Sequence, residues 1–138
     1  MADAVLSGAR SPDLDQEKIS IRFLQAKCAN ADDLRWCNGL ILGTPENFGY
    51  MSGALKDFFD RTFYSVEGQI QGLPWCLFVK AGNDGSGAVS SIERIVKGYA
   101  FRQVCEPVIV KGEVKDTDLQ RCKDLGMAFA AGMEAGIY

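Results

Sequence analysis

Two glycine-containing turns carry the residue types that suit cofactor binding in this chain. The first spans residues 43–49 and reads Gly-Thr-Pro-Glu-Asn-Phe-Gly, and the second spans residues 82–87 and reads Gly-Asn-Asp-Gly-Ser-Gly. Each turn follows an apolar stretch and precedes an amphipathic helical pattern, and ligands of open α/β sheets bind where strands end in this way. Few bulky side chains flank the first turn, so its amides suit a planar polar ring better than a phosphate.

The second turn matches no phosphate-binding motif. It lacks the Lys-Ser/Thr pair of a P-loop, and its glycines do not follow the spacing G-x-G-x-x-G. Amides at the start of a helix form an anion site in principle, but the bare pattern favours a tight turn with a helix cap. The first turn has a similar alternative, because a strand, loop and helix of this kind occur in any α/β domain.

The composition excludes several kinds of catalysis. The chain contains no histidine, so a Cys/His zinc site, a Ser/His/Asp triad and a Cys/His dyad are all ruled out. We predict neither a metal ligand nor a catalytic side chain. The five cysteines are odd in number and include no C-x-x-C pair, which indicates buried free thiols rather than a disulfide framework.

Length and charge indicate one small globular domain. The 138 residues are 47% hydrophobic and 24% charged, which is typical of a single hydrophobic core. A net charge of −3 with scattered basic residues argues against nucleic-acid binding, which needs a clustered basic surface. No apolar run reaches membrane-spanning length and no signal peptide is evident, so we expect a cytoplasmic protein without a membrane partner.

Predicted strands and helices alternate along the chain. The pattern predicts strands over 18–26, 39–43, 75–80 and 104–110, and helices over 31–37, 52–64, 88–101 and 116–134. The second of these helices is the clearest, because Met51, Leu55, Phe58, Phe59 and Phe63 recur with helical spacing on one face. Such alternation predicts an α/β fold, with a parallel sheet between layers of helices.

Specific residues resemble those of a known family. They are Gly43-Thr44-Pro45, Phe48-Gly49, Met51-Ser52-Gly53, Lys56, Phe59, Asp60, residues 78–88 and Glu106-Pro107. Together they resemble the flavodoxin-like NAD(P)H-dependent FMN reductases, which include quinone reductases of the WrbA type. The resemblance covers residues 1–138 and implies a flavodoxin-like three-layer α/β/α domain with FMN as cofactor and NAD(P)H as donor. A flavin or quinone would be the acceptor, and a homo-oligomer is compatible with it.

The resemblance assigns the two turns to the flavin ring. The implied FMN-binding residues are Thr44, Pro45, Glu46, Asn47, Phe48 and Gly49 from the first turn, and Gly82, Asn83, Asp84 and Gly85 from the second. Their amides would bond the polar edge of the ring, Phe48 or Tyr50 would cover its apolar body, and Glu46 and Asp84 would accept from ring N–H groups. Alternatively, the aromatic residues are buried loop anchors and the two acids are solvated turn residues.

The resemblance also exposes an absence at the N-terminus. The family opens with a strand and a Ser/Thr/Gly-rich loop that holds the FMN phosphate, whereas residues 1–10 resemble the last turns of the following helix. The domain is therefore expected to be N-terminally incomplete, with four strands. The chain then functions either as the reductase or as an electron carrier or truncated remnant with impaired FMN binding.

A missing central strand has a large energetic cost. It would leave about five apolar side chains exposed at roughly 1.5 to 3 kcal/mol each, which rivals the about 5 to 15 kcal/mol that stabilises a domain. Three outcomes are open: the protein starts upstream, the strand at 19–24 moves beside residues 40–43, or a partner covers the gap. For the chain folding as written, we expect the strand to move.

Overall fold

The computed structural model describes all 138 residues and contains five helices and five strands. In chain order they are α1 (Ala2–Ala9), α2 (Ala31–Trp36), β1 (Leu40–Asn47), β2 (Tyr50–Met51), α3 (Gly53–Val66), β3 (Pro74–Ala81), α4 (Ser86–Gly98), β4 (Arg102–Gln103), β5 (Val108–Lys111) and α5 (Asp116–Glu134). None of the helices has both the length and the apolar character that crossing a bilayer requires.

The sheet is mostly parallel and is centred on β3. β1 pairs with β3 in parallel, in register from Leu40 opposite Trp75 to Pro45 opposite Lys80. β4 and β5 both pair in parallel with the other edge of β3, one near its start and one near its end. The remaining strand, β2, folds back antiparallel to β1 as a short hairpin. The predicted α/β class with a parallel sheet is confirmed.

Helices cover both faces of this sheet. On one face, α2, α3 and α4 pack with β1 and β3 into a single core that includes the fully buried Phe59, Trp75 and Leu77. On the other face, α5 contributes Leu125 and Phe129, which pack around Cys76 of β3. Successive residues of a strand point to opposite faces, so β3 supplies both cores. This is the three-layer arrangement predicted from the sequence.

Helices α1 and α5 lie unusually close together. A Cβ atom on Gly126 would lie 2.0 Å from the carbonyl oxygen of Val5, and one on Gly8 would lie 1.8 Å from the carbonyl oxygen of Lys123. Only glycine permits this backbone approach. Close packing on α5 therefore fixes the position of the short α1, which is helical as the sequence predicts.

The five thiols are free, as predicted, but only two are buried. Cys76 and Cys122 are fully buried, Cys37 and Cys105 are half-buried, and Cys28 is exposed. Burial raises the pKa of the Cys76 and Cys122 thiols above its ordinary value. Both remain protonated and unreactive at neutral pH, since the thiolate is the nucleophilic form.

The predicted strand over residues 18–26 is wrong. Residues 19–25 form no regular secondary structure and pair with no strand. Ile19 and Ile21 pack against the cluster formed with α1 and α5, while the Arg22 guanidinium lies 3.9 Å from the centre of the Trp36 ring and 3.0 Å from Asp33. These side chains hold the segment away from β1, so the expected move into the place beside residues 40–43 does not occur.

The bounds of two further strands differ from the prediction. The sheet also has five strands rather than the expected four. β1 does not end at Gly43 but continues to Asn47, because it keeps pairing with β3 to Pro45 and then with β2. The predicted strand at 104–110 is replaced by the separate strands β4 and β5. Pro107 lies between them, and proline has no N–H to donate to a ladder.

Candidate functional site

The hairpin loop, residues 47–50, forms the tip of the first predicted turn. Phe48 and Gly49 both have positive φ, 51° and 71°, which is the conformation of a tight two-residue hairpin turn. A phenylalanine rarely adopts this left-handed conformation. Its ring is completely exposed, at 108% of the reference area, and Tyr50 is 43% exposed. The alternative interpretation of Phe48 as a buried anchor is therefore wrong.

The β3–α4 loop, residues 82–85, leads directly into a helix, as predicted. Gly85 has φ of 84° and precedes the first residue of α4. Asp84 precedes the N-cap residue Gly85, and one of its oxygens accepts from the Ser86 amide at 3.0 Å. The other oxygen lies 3.6 Å from the Lys111 ammonium. The tight turn predicted from the bare pattern is confirmed, and its N-cap residue is Gly85, which provides no side-chain cap.

The hairpin loop is in direct contact with the first turn of α4, which follows the β3–α4 loop, through Gly87. A Cβ atom on Gly87 would lie 2.1 Å from the carbonyl oxygen of Gly49. The amide of Met51 also donates to Ser91 Oγ at 3.3 Å. The two turns, about 35 residues apart in sequence, therefore lie side by side at the carboxyl ends of β1 and β3. Only a glycine at position 87 allows this spacing.

Glu46, near the end of β1, connects this strand to the β3–α4 loop and to α4. Its two carboxylate oxygens accept from the amides of Gly85 at 2.9 Å and Ala88 at 3.1 Å. A carboxylate is stabilised at a helix N-terminus, where unpaired amides and the helix dipole both favour negative charge. Glu46 is therefore not a solvated turn residue. It positions α4 against β1, and it already occupies the Gly85 amide that the sequence assigned to the cofactor.

Five other amides in the two loops have no hydrogen-bond partner in the chain. They belong to Phe48 and Gly49 in the hairpin loop and to Gly82, Asn83 and Asp84 in the β3–α4 loop. All five residues are exposed. These amides are available as donors to the polar edge of a flat heterocycle, and the exposed Phe48 ring offers an apolar surface on the same loop.

The remaining predicted site residues have mixed roles. Thr44 is buried, and its hydroxyl donates to the Pro45 carbonyl and accepts from the Ser52 amide, each at 2.9 Å. It thereby fixes the start of α3 to β1. Pro45 is exposed and lines a cavity beside β1. Gly82 is also exposed, and a Cβ atom there would meet nothing within 4 Å.

Sequence analysis missed the roles of Gly87 and Ser91. Both lie beyond the turn residues that were assigned to the site, although Gly87 is the last glycine of the predicted turn. Ser91 is a buried polar residue in the apolar face of α4, and a serine at such a position signals a hydrogen bond to another element.

Replacing Glu46 by glutamine is expected to destabilise the fold by about 1 to 3 kcal/mol. The glutamine can accept from only one of the two amides, and its NH2 group then faces the other donor. Urea denaturation of Glu46→Gln measures the loss. Asp57→Asn, which alters an exposed carboxylate on α3, is the matched control and should change stability by less than about 0.5 kcal/mol. Equal effects of the two substitutions would contradict the role of Glu46.

The chain belongs to the NADPH-dependent FMN reductase family, whose model matches residues 25–111. It is 34% identical over 104 residues to a flavodoxin of Aquifex aeolicus, an alignment that covers 73% of this chain and 54% of that protein. It is also 35% identical over 65 residues to an NAD(P)H dehydrogenase (quinone) of Acidithiobacillus ferrooxidans, covering 46% and 32% of the two chains. The chain thus spans about half of the first relative and about a third of the second.

The fold agrees with this assignment. A solved flavodoxin from the domain Archaea superposes with a TM-score of 0.73 at 20% identity, covering 94% of this chain and 85% of the other. The chain therefore has the flavodoxin-like fold. The hairpin loop and the β3–α4 loop both lie within the part matched by the family model.

Proposed function

We propose that the protein binds the ring of FMN between the hairpin loop and the β3–α4 loop and transfers reducing equivalents from NAD(P)H to a flavin or quinone. The observation that carries this proposal is the set of unpaired amides of Phe48, Gly49, Gly82, Asn83 and Asp84 on the hairpin loop and the β3–α4 loop. Glu46 and the contact of Gly87 with Gly49 hold these loops side by side. Membership of the NADPH-dependent FMN reductase family supports the cofactor and the donor.

The residues of the two loops hold and orient the cofactor in this proposal. The free amides donate to the ring's polar edge, and Phe48 covers part of its apolar surface. Glu46 and Gly87 do not contact the ring in this proposal. They position the two loops that do, because they fix the separation between these loops. Bound FMN would supply the hydride and electron chemistry itself, so no titratable side chain is required as a catalytic group.

A second candidate function is electron transfer without NAD(P)H oxidation. It is favoured by the 34% identity to the Aquifex aeolicus protein, which is a flavodoxin. The exposed Cys28 thiol suits a reducing compartment such as the cytoplasm.

Anaerobic NAD(P)H oxidation at saturating FMN separates the two functions. The reductase is expected to oxidise NAD(P)H at a rate that depends on both protein and FMN. Phe48→Ala should raise the FMN concentration needed for half-maximal rate by about tenfold, because it removes roughly 1 to 3 kcal/mol of stacking. Phe48 is fully exposed, so the fold should keep its stability.

The control for this assay is Tyr64→Ala, which removes another exposed aromatic ring, 83% exposed on α3 and outside the two loops. It should leave the FMN dependence unchanged. FMN binding without NAD(P)H oxidation would favour the electron carrier. Absence of FMN binding at every FMN concentration tested would overturn the proposed site.

A further inference from the structure

The β3–α4 loop is held on its second side by the end of β5. The Gly112 amide donates to the carbonyl oxygens of both Ala81, at 3.0 Å, and Gly82, at 3.2 Å. A Cβ atom on Gly85 would lie 2.5 Å from Cγ2 of Ile109, so β5 packs directly against the N-cap of α4. Because β1 and β5 flank β3 on opposite sides, and a carboxylate of β1 also bonds this loop, contacts from both neighbouring strands fix it.

An ion pair lies at the contact between this loop and β5. The ammonium of Lys111, the last residue of β5, is 3.6 Å from one oxygen of Asp84, and the other oxygen accepts from the Ser86 amide at 3.0 Å. The two paired side chains are 56% and 63% exposed, and an ion pair at such exposure contributes little to stability. The backbone contacts hold the loop without it, so its main effect is on the charge that the loop presents.

The Asp84 carboxylate has no other positive partner. The second carboxylate of the site, Glu46, accepts from two amides at the start of α4, where the helix dipole favours negative charge. Asp84 is exposed beside the unpaired amides of the loop, and its one ion pair is with Lys111. Exposed charges influence one another within a Debye length, about 8 Å at physiological ionic strength. Lys111 therefore decides whether the loop carries a net negative charge or none.

We propose that Lys111 is a positioning residue that acts through Asp84: by balancing this carboxylate, it sets the relative affinity of the site for oxidised and reduced FMN. The inference rests on the proposed function. Two electrons and one proton taken up by FMN leave one negative charge on the ring, and an unbalanced Asp84 carboxylate would repel that charge. With Lys111 in place the repulsion is largely offset, so the loop accepts both forms of the cofactor.

Anaerobic titration of the full chain with oxidised FMN, and with FMN reduced by dithionite, gives two dissociation constants whose ratio is the quantity compared. In Lys111→Met the ratio of the reduced to the oxidised constant should rise about fivefold at low ionic strength, since Asp84 is left unbalanced. At about 30 mV per tenfold for a two-electron couple, this change lowers the potential of bound FMN by about 20 mV. Asp84→Asn should lower the ratio by a similar factor.

The double variant Asp84→Asn/Lys111→Met tests the charge argument directly. It restores a loop without net charge, so its ratio should return to that of the unsubstituted chain. Salt at about 0.5 M should remove most of the difference between the single variants, because it screens exposed charges. A purely structural role of the ion pair would instead weaken the binding of both forms equally, in the double variant as in the single ones.

Lys97→Met is the matched control, because it removes one positive charge from the last turn of α4, at the far end of that helix from the loop. It should leave the ratio unchanged. An unchanged ratio in Lys111→Met, or a double variant as impaired as the single ones, would overturn this inference alone. Failure of the unsubstituted chain to bind either form would overturn the proposed function and this inference with it, a result separate from any difference between variants.

Discussion

A chimera in which a designed apolar strand and a Gly/Ser/Thr-rich loop precede Met1 is expected to bind FMN roughly a thousandfold more tightly than residues 1–138 alone. In the proposed site the hairpin loop and the β3–α4 loop supply donors for the ring, and the added loop would supply donors for the phosphate. α1 starts at Ala2, and its N-cap Met1 offers no side-chain cap. Two charge-assisted hydrogen bonds from the added loop would contribute about 3 to 6 kcal/mol.

Titration of both proteins with FMN, followed by quenching of flavin fluorescence, measures this difference. The matched control is the same chimera with the loop serines and threonines replaced by glutamate, which keeps the strand but repels the phosphate. It should bind FMN no better than the unextended chain. Equal, tight affinity of the chimera and residues 1–138 would show that the ring contacts alone suffice.

The second large effect is expected at Gly87. In Gly87→Ala the new methyl group would meet the carbonyl oxygen of Gly49 at 2.1 Å, and a backbone atom cannot rotate away as a side chain can. The hairpin loop must therefore move away from α4, which we expect to destabilise the fold by about 2 to 3 kcal/mol. The same displacement separates the two sets of unpaired amides, so FMN binding by the chimera should weaken by at least about tenfold.

Gly82→Ala is the internal control for this substitution. Gly82 lies in the adjoining loop, and a Cβ atom there would meet nothing within 4 Å. Its stability to urea should match that of the unsubstituted protein, and its FMN affinity should change less than that of Gly87→Ala, because alanine keeps the backbone amide. If Gly87→Ala were as stable and bound FMN as tightly as Gly82→Ala, the contact between Gly87 and the hairpin loop would not define the site.

Local signals in the sequence predicted some elements well and others poorly. α5 was predicted with its exact bounds, and α3 was predicted because its apolar residues recur with helical spacing. The end of β1 was predicted too early, since Gly43 and Pro45 are typical of turns. Pairing with β3 and β2, which no local pattern reveals, keeps those residues in the strand.

Long-range contacts explain the remaining differences. The alternating apolar pattern of residues 18–26 is that of a strand, but no neighbouring strand lies within pairing distance, and Arg22 binds α2 instead. For the site, both turns and their residues were predicted, and the structure brings them together. The engagement of Glu46 with the amides of α4 was not predictable, because it joins residues about 40 positions apart.

The open side of β1 has a practical consequence for the behaviour of the protein at high concentration. An unprotected row of backbone groups recruits identical chains into growing fibres, and natural proteins discourage this with prolines and lysines. Pro45 lies on this open edge of β1 and has no N–H to donate. Lys18 lines the opposite side of the cavity beside β1. Substituting either residue by valine would remove a residue that opposes edge-to-edge association, and the protein should then precipitate during purification.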